Sequence, residues 1–102
     1  MARTRHPQSS GLLAADAVVC DAACWFHGAV ATGDGTNDDQ TLLIYDNATS
    51  AAGTCIATLA VSIESHTVSV MLPTPLPCAN GIYADESTNL SNYIVYYSLA
   101  ST

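Results

Sequence analysis

The sequence contains no lysine, and its only two arginines, Arg3 and Arg5, fall within the first five residues. Everything after Arg5 lacks permanent positive charge, while nine Asp and Glu are spread from Asp16 to Glu86 and the formal net charge is −7 at pH 7. Binding to nucleic acid is dominated by Lys and Arg that neutralise phosphates and release counterions. The body of the chain is therefore excluded as a nucleic-acid surface. Charged residues of either sign make up only 11% of the chain, against a usual fraction of about 25%. The surface must then be covered by Ser, Thr and Asn and by contact with something else, which suits an assembled protein better than a free one.

Long apolar runs are also missing. No stretch approaches the roughly 20 apolar residues that a membrane-spanning helix needs, so no membrane partner is expected. The apolar run that follows the basic start is brief and broken by Asp16, and the start reads as a mature one, not a secretory signal. There is no internal repeat, no sign of a second domain, no glycine-rich phosphate loop and no Gly-x-Ser-x-Gly elbow. With no positioned acid, base or nucleophile in view, the chain is not expected to be an enzyme or to carry a cofactor.

What is present is a succession of short β-patterned segments. "CWFHGAVATG" ends at a loop of Gly, Asp and Asn, and "QTLLIYD" follows, which predicts a hairpin. "TCIATLAVSI" is β-branched, and "TVSVMLP" alternates Val with Thr and Ser. Pro73, Pro75 and Pro77 cannot donate to a ladder and are expected to close that strand. "GIYAD" follows the Asn80-Gly81 turn, and "YIVYYSLA" carries large side chains on both faces, as a doubly covered strand would. The Ala-rich "GLLAADAVVCDAAC" reads as extended or as one or two helical turns. These features predict an all-β single domain: a small antiparallel β-sandwich or barrel over 16–102, preceded by an extended N-terminal arm over 1–15.

Four cysteines, Cys20, Cys24, Cys55 and Cys78, raise three readings. Only Cys20-x3-Cys24 has the spacing of a zinc pair, so no metal is expected. Free cysteine behaves as a small buried hydrophobe, a reading that suits Cys55. Disulfides are the third reading, and their pairing is left open among three possibilities. The loop Asp34–Asp39 offers carboxylates and an amide oxygen of the kind calcium takes but lacks the EF-hand pattern, and a solvated hairpin loop is the simpler reading. His27, among aromatics on a strand, reads as a packed residue, and His66 lies in a polar turn. Asn47-Ala48-Thr49 and Asn89-Leu90-Ser91 match the glycosylation triplet, which arises often by chance in so polar a chain.

"ATGDGTNDDQTLLIYDNATSAAGTCIATL", "LPCANGIYADES" and the terminal "YIVYY" together resemble the small β-sandwich structural proteins of tailed bacteriophages. The resemblance covers about residues 25–97. It implies a structural virion protein on the capsid surface. The role favoured is that of a decoration (cement) protein that bridges and stabilises shell subunits, the alternative being a neck, tail or fibre subunit. The partners implied are the major capsid protein or another virion subunit, and further copies of the chain in a symmetric oligomer, with a trimer favoured. The cysteine count departs from the family pattern, which leaves the disulfide question open.

The candidate site residues are of two kinds. Arg3, Arg5 and His6 form a partner-binding arm that would reach an acidic surface, since the arginine fork pairs carboxylates with two hydrogen bonds. Trp25, Tyr83, Tyr93, Tyr96 and Tyr97 are candidate interface anchors, because aromatics bring large contact area at small entropic cost. Strand aromatics also fill cores, and about two of the four tyrosines are expected there. A reading from another class is a secreted, disulfide-stapled carbohydrate-binding or adhesion module. The absence of a clear signal sequence and the single Trp weigh against it.

Overall fold

The alternation seen in the sequence becomes eight strands in the computed structural model, which describes residues 8–36, 40–62, 67–86 and 90–100. They are β1 (Gln8–Ser9), β2 (Ala17–Cys20), β3 (Cys24–Gly33), β4 (Gln40–Asp46), β5 (Thr54–Val61), β6 (Thr67–Cys78), β7 (Ile82–Glu86) and β8 (Leu90–Leu99). Two antiparallel four-stranded sheets, in the orders β1-β8-β3-β6 and β2-β7-β4-β5, pack face to face. The fold is all-β, and no helix occurs among the described residues.

Strand β4 shows how the pattern builds the core. Gln40, Leu42 and Ile44 are buried, while Thr41, Leu43 and Tyr45 alternate outward. Opposite them Phe26, Ala29, Ala31, Tyr93 and Val95 face inward from the other sheet, and Leu59, Val61, Ile82 and Ala84 join the same core. Buried Gln40 accepts a hydrogen bond from the Asp34 N–H through Oε1 at 2.9 Å, which ties the two ends of the β3–β4 connection together.

Strand β3 changes its inward face partway along. Cys24 and Phe26 point to the core, then Ala29 and Ala31 do, and the change falls at a bulge between Phe26 and Gly28. One extra residue reverses the period-2 parity, so His27 can turn outward without moving the core residues on either side. Gly28 is required here. A Cβ at this position would strike the Val70 carbonyl oxygen of β6 and the space held by the Met71 sulfur, and its φ of 156° is unfavourable to other residues.

The prolines do not end β6. The strand runs through Pro73, Pro75 and Pro77 to Cys78. Opposite Phe26 stands Leu76 and opposite Gly28 stands Met71, so residues 72–75 of β6 face the single residue His27. β6 is the edge of its sheet. On an edge, residues without an N–H are tolerated, and the bulge absorbs two of them.

The described part of the N-terminal segment, from Gln8, is stitched to the body. Gln8 and Ser9 pair with Tyr97 and Tyr96. Ser10 N–H donates to Val95 O at 2.8 Å, and Val95 N–H donates back to Ser10 Oγ at 3.0 Å. Leu13 and Tyr93 exchange backbone hydrogen bonds at 2.9 and 2.8 Å. Residues 8–13 thus cover the edge that β8 would otherwise expose. The chain then crosses to the second sheet as β2, in the stretch for which a helical turn was the other reading.

Two substitutions test this account by urea denaturation. Phe26→Ala should cost about 3–5 kcal/mol, as for other fully buried aromatics. Gly28→Ala should cost about 2–3 kcal/mol through overpacking at the bulge. Wild-type stability in Gly28→Ala would show that β3 and β6 do not depend on close approach there.

Candidate functional site

Cross-strand partners share a face, so the outer surface of the β1-β8-β3-β6 sheet can be read from the register. Val30 lies beside Ile94 and Ser69, and Trp25 beside Ser98 and Pro77. Tyr96 and Met71 flank Gly28 from either side. Trp25, Val30, Ile94 and Tyr96 are all half-buried, and Met71 is 54% exposed. A band of aromatic and aliphatic side chains therefore crosses the outside of this sheet. On the other sheet, Tyr83 is half-buried and pairs with Tyr45 and with Val18, which is 44% exposed.

The candidate anchors divide accordingly. Trp25, Tyr83 and Tyr96 face outward. Tyr93 is 1% exposed and belongs to the core, where its hydroxyl donates to Ala15 O at 2.5 Å. Tyr97 stands beside Phe26 on the inner face and packs against the core. The bulge in β3 is why Tyr96 and Tyr97, adjacent in sequence, meet Gly28 and Phe26 in the places they do. Arg3, Arg5 and His6 lie outside the described residues, as do His66 and most of the acidic part of the Asp34–Asp39 loop. In that loop Asp34 Oδ1 accepts from Thr36 N–H at 2.9 Å. Asn47 builds a turn: its Oδ1 accepts from Thr49 and Ser50 N–H, and its Nδ2 donates to Ala52 O.

His27 Nε2 and Ser98 Oγ are 2.9 Å apart. A serine bonded to a histidine invites a nucleophile–base reading, but Ser98 is 2% exposed within the sheet, leaving no approach for a substrate. The pair instead satisfies two polar groups beside the β6 bulge. Among the described residues, no group of three His, Cys, Asp or Glu is arranged to hold a metal ion.

One end of the sandwich gathers three thiols that sequence spacing only half revealed. Cys20 closes β2, Cys24 opens β3 and Cys78 ends β6, and all three are buried. A largely apolar cleft of about 280 Å³ opens beside them, walled by Trp25, Pro77, Ala23 and Ala100 and reaching Cys24, Cys78 and Asp46. Asp46 accepts from the N–H groups of Asn80 at 2.9 Å and Ala79 at 3.3 Å, fixing the turn after β6. The Cys78 thiol is shifted down because its thiolate accepts a hydrogen bond from Cys24, with burial and the Asp46 charge opposing. Cys24 is correspondingly shifted up by its bond to Cys78, by burial and by its contact with Cys20. Cys55 stands apart and is exposed on β5, not buried as a small hydrophobe as its sequence neighbours suggested.

A second group unforeseen from sequence is a crowd of carboxylates beside Tyr93. Asp16 Oδ1 accepts from Glu86 N–H at 2.9 Å, which brings residues far apart in the chain together. Asp85 and Glu86 are both shifted up from ordinary values of 3.8 and 4.5, first by burial and then by the Asp16 charge. The Tyr93 hydroxyl is shifted up as well, by burial and then by Asp16.

For an acid whose folded pKa is raised, the unfolded chain releases its proton first. The stabilising contribution is therefore present at low pH and is lost as pH rises through the folded pKa. Asp85→Asn should raise the unfolding free energy at pH 7, by no more than about 1 kcal/mol because solvent screens these carboxylates. The gain should vanish below about pH 3.5, where the native carboxyl is protonated in both states. A gain that persists unchanged at acid pH would refute this account of burial and repulsion. No family model matches the chain, and no curated protein or solved structure matches it either.

Proposed function

We propose that this chain is a structural subunit that acts by burying its outer sheet faces against other protein. Following the sequence resemblance, the role is that of a decoration protein on the capsid of a tailed bacteriophage. The observation that carries the reading is the aromatic and aliphatic band of Trp25, Val30, Ile94, Tyr96 and Met71 on a rigid two-sheet sandwich. Interface cores are depleted in charge and enriched in aromatic residues and Met. Between Arg5 and the C-terminus the sequence offers that surface no Lys or Arg. Bridging two shell subunits stabilises a shell because separating them then also means breaking their contacts to the bridge.

In this reading the band meets the shell protein or a neighbouring copy in a closed oligomer, with a trimer favoured. Arg3 and Arg5 supply the complementary charge, reaching carboxylates of the next copy or of the shell.

Native mass spectrometry and co-sedimentation with capsid shells test the reading together. A closed oligomer that binds shells is expected. Tyr96→Ala and Met71→Glu should each weaken binding at least ~10-fold while leaving the β-sheet circular dichroism unchanged. Deleting residues 2–6 should weaken binding and flatten its salt dependence. A chain that stays monomeric and ignores shells overturns the proposal. Binding to necks, tails or fibres but not to shells would overturn the decoration role while keeping the virion subunit.

A further inference from the structure

The three-thiol end of the sandwich has a use independent of the function proposed above. Cys24 and Cys78 are direct cross-strand partners in the β3–β6 ladder, and both side chains belong to the core cluster. Direct partners in any antiparallel pair have Cα atoms about 4.5–5.5 Å apart, inside the roughly 4.4–6.8 Å that a disulfide accepts. Their Cβ atoms, about 4.5–5.5 Å apart in such a pair, have to close by only about 1 Å. The pair sits at the ladder's end, where the strand can give. Cys20 lies in the other sheet and is not a ladder partner of either, and its thiol donates to Ala22 O at 3.3 Å. Cys55 is exposed on β5.

We propose that Cys24 and Cys78 form a cross-strand disulfide that fastens the edge strand β6 to β3, with the adjacent cleft as the route by which a small thiol oxidant reaches them. The tie lies where the ladder is poorest in hydrogen bonds, since Pro73, Pro75 and Pro77 supply no N–H over residues 73–78. The reaction is thiol–disulfide exchange with a disulfide such as oxidised glutathione. The Cys78 thiolate attacks one glutathione sulfur, breaking the glutathione S–S bond and releasing one glutathione thiolate. The Cys24 thiolate then attacks the Cys78 sulfur of the mixed disulfide and expels the second glutathione. The protein loses two thiol hydrogens and gains one S–S bond, and one glutathione disulfide becomes two glutathione thiols. Cys78 is suited to the first attack because Cys24 donates a hydrogen bond to its thiolate.

The test is peptide mapping without reductant of the full chain after incubation with oxidised glutathione, followed by thermal melts with and without reductant. The expected result is a loss of two hydrogen masses and a single cross-link joining the Cys24 and Cys78 peptides. Cys20→Ala should leave the link intact, and Cys78→Ala should abolish it. Oxidation of the wild type should raise Tm on the order of 10 °C, reversed by reductant. That comparison needs no variant and holds if Cys78→Ala fails to fold. A Cys20–Cys24 link, stable glutathione adducts in place of an internal bond, or thiols that stay reduced would each overturn the proposal.

Discussion

The bulge at His27–Gly28 is the constraint on which the rest of the sandwich depends. β3 pairs with both β8 and β6, so any error in its facing would propagate to three strands. A strict alternation would have sent either Phe26 or Ala29 and Ala31 to the outside. One extra residue lets both ends of β3 feed the core. It also turns His27 outward to meet Ser98 and places Gly28 where β6 can approach with no side chain between. The close approach and the parity change have a single cause.

Two further features follow from the same point. Residues 72–75 of β6 have to pass opposite His27, which is why Pro73 and Pro75 sit in that stretch of the edge strand without ending it. Tyr96 and Tyr97 flank the bulge on β8, one outside and one inside. The outer aromatic band is thus positioned by the device that fills the core, and a surface held this way loses little conformational entropy on meeting a partner.

Much of this was legible in the residues. β3 and β4 begin and end where their turn signals place them, because alternation and Gly-Asp loops are local properties. The proline reading failed because whether a strand is an edge, and can therefore host residues without an N–H, depends on sheet order, which is not local. The split of the tyrosines was legible in number but not in identity, since a bulge shifts parity by one without changing composition. The Asp16, Asp85 and Glu86 crowd and the Cys24–Cys78 pair were hidden for another reason. Each joins residues from opposite ends of the chain, and only the register between distant strands brings them together. Cys20-x3-Cys24 was visible as a pair, yet the partner that ladder geometry gives Cys24 is Cys78.

Charge binds these features together. With neither Lys nor Arg beyond Arg5, no carboxylate of the body can pair with a fixed cation of the same body. The fold therefore meets its carboxylates by other means. Asp46 and Asp16 accept backbone N–H groups, while Asp85 and Glu86 are left crowded and hold their protons more tightly than usual. Such a body gains little from surface ion pairs of its own and repels its copies at long range. Attraction between two such bodies can come only from apolar area at short range or from cations supplied from outside the body. In the sequence the two arginines precede the residues that pair with β8. That separation of sign along the sequence keeps fixed positive charge away from the strands that form the sandwich.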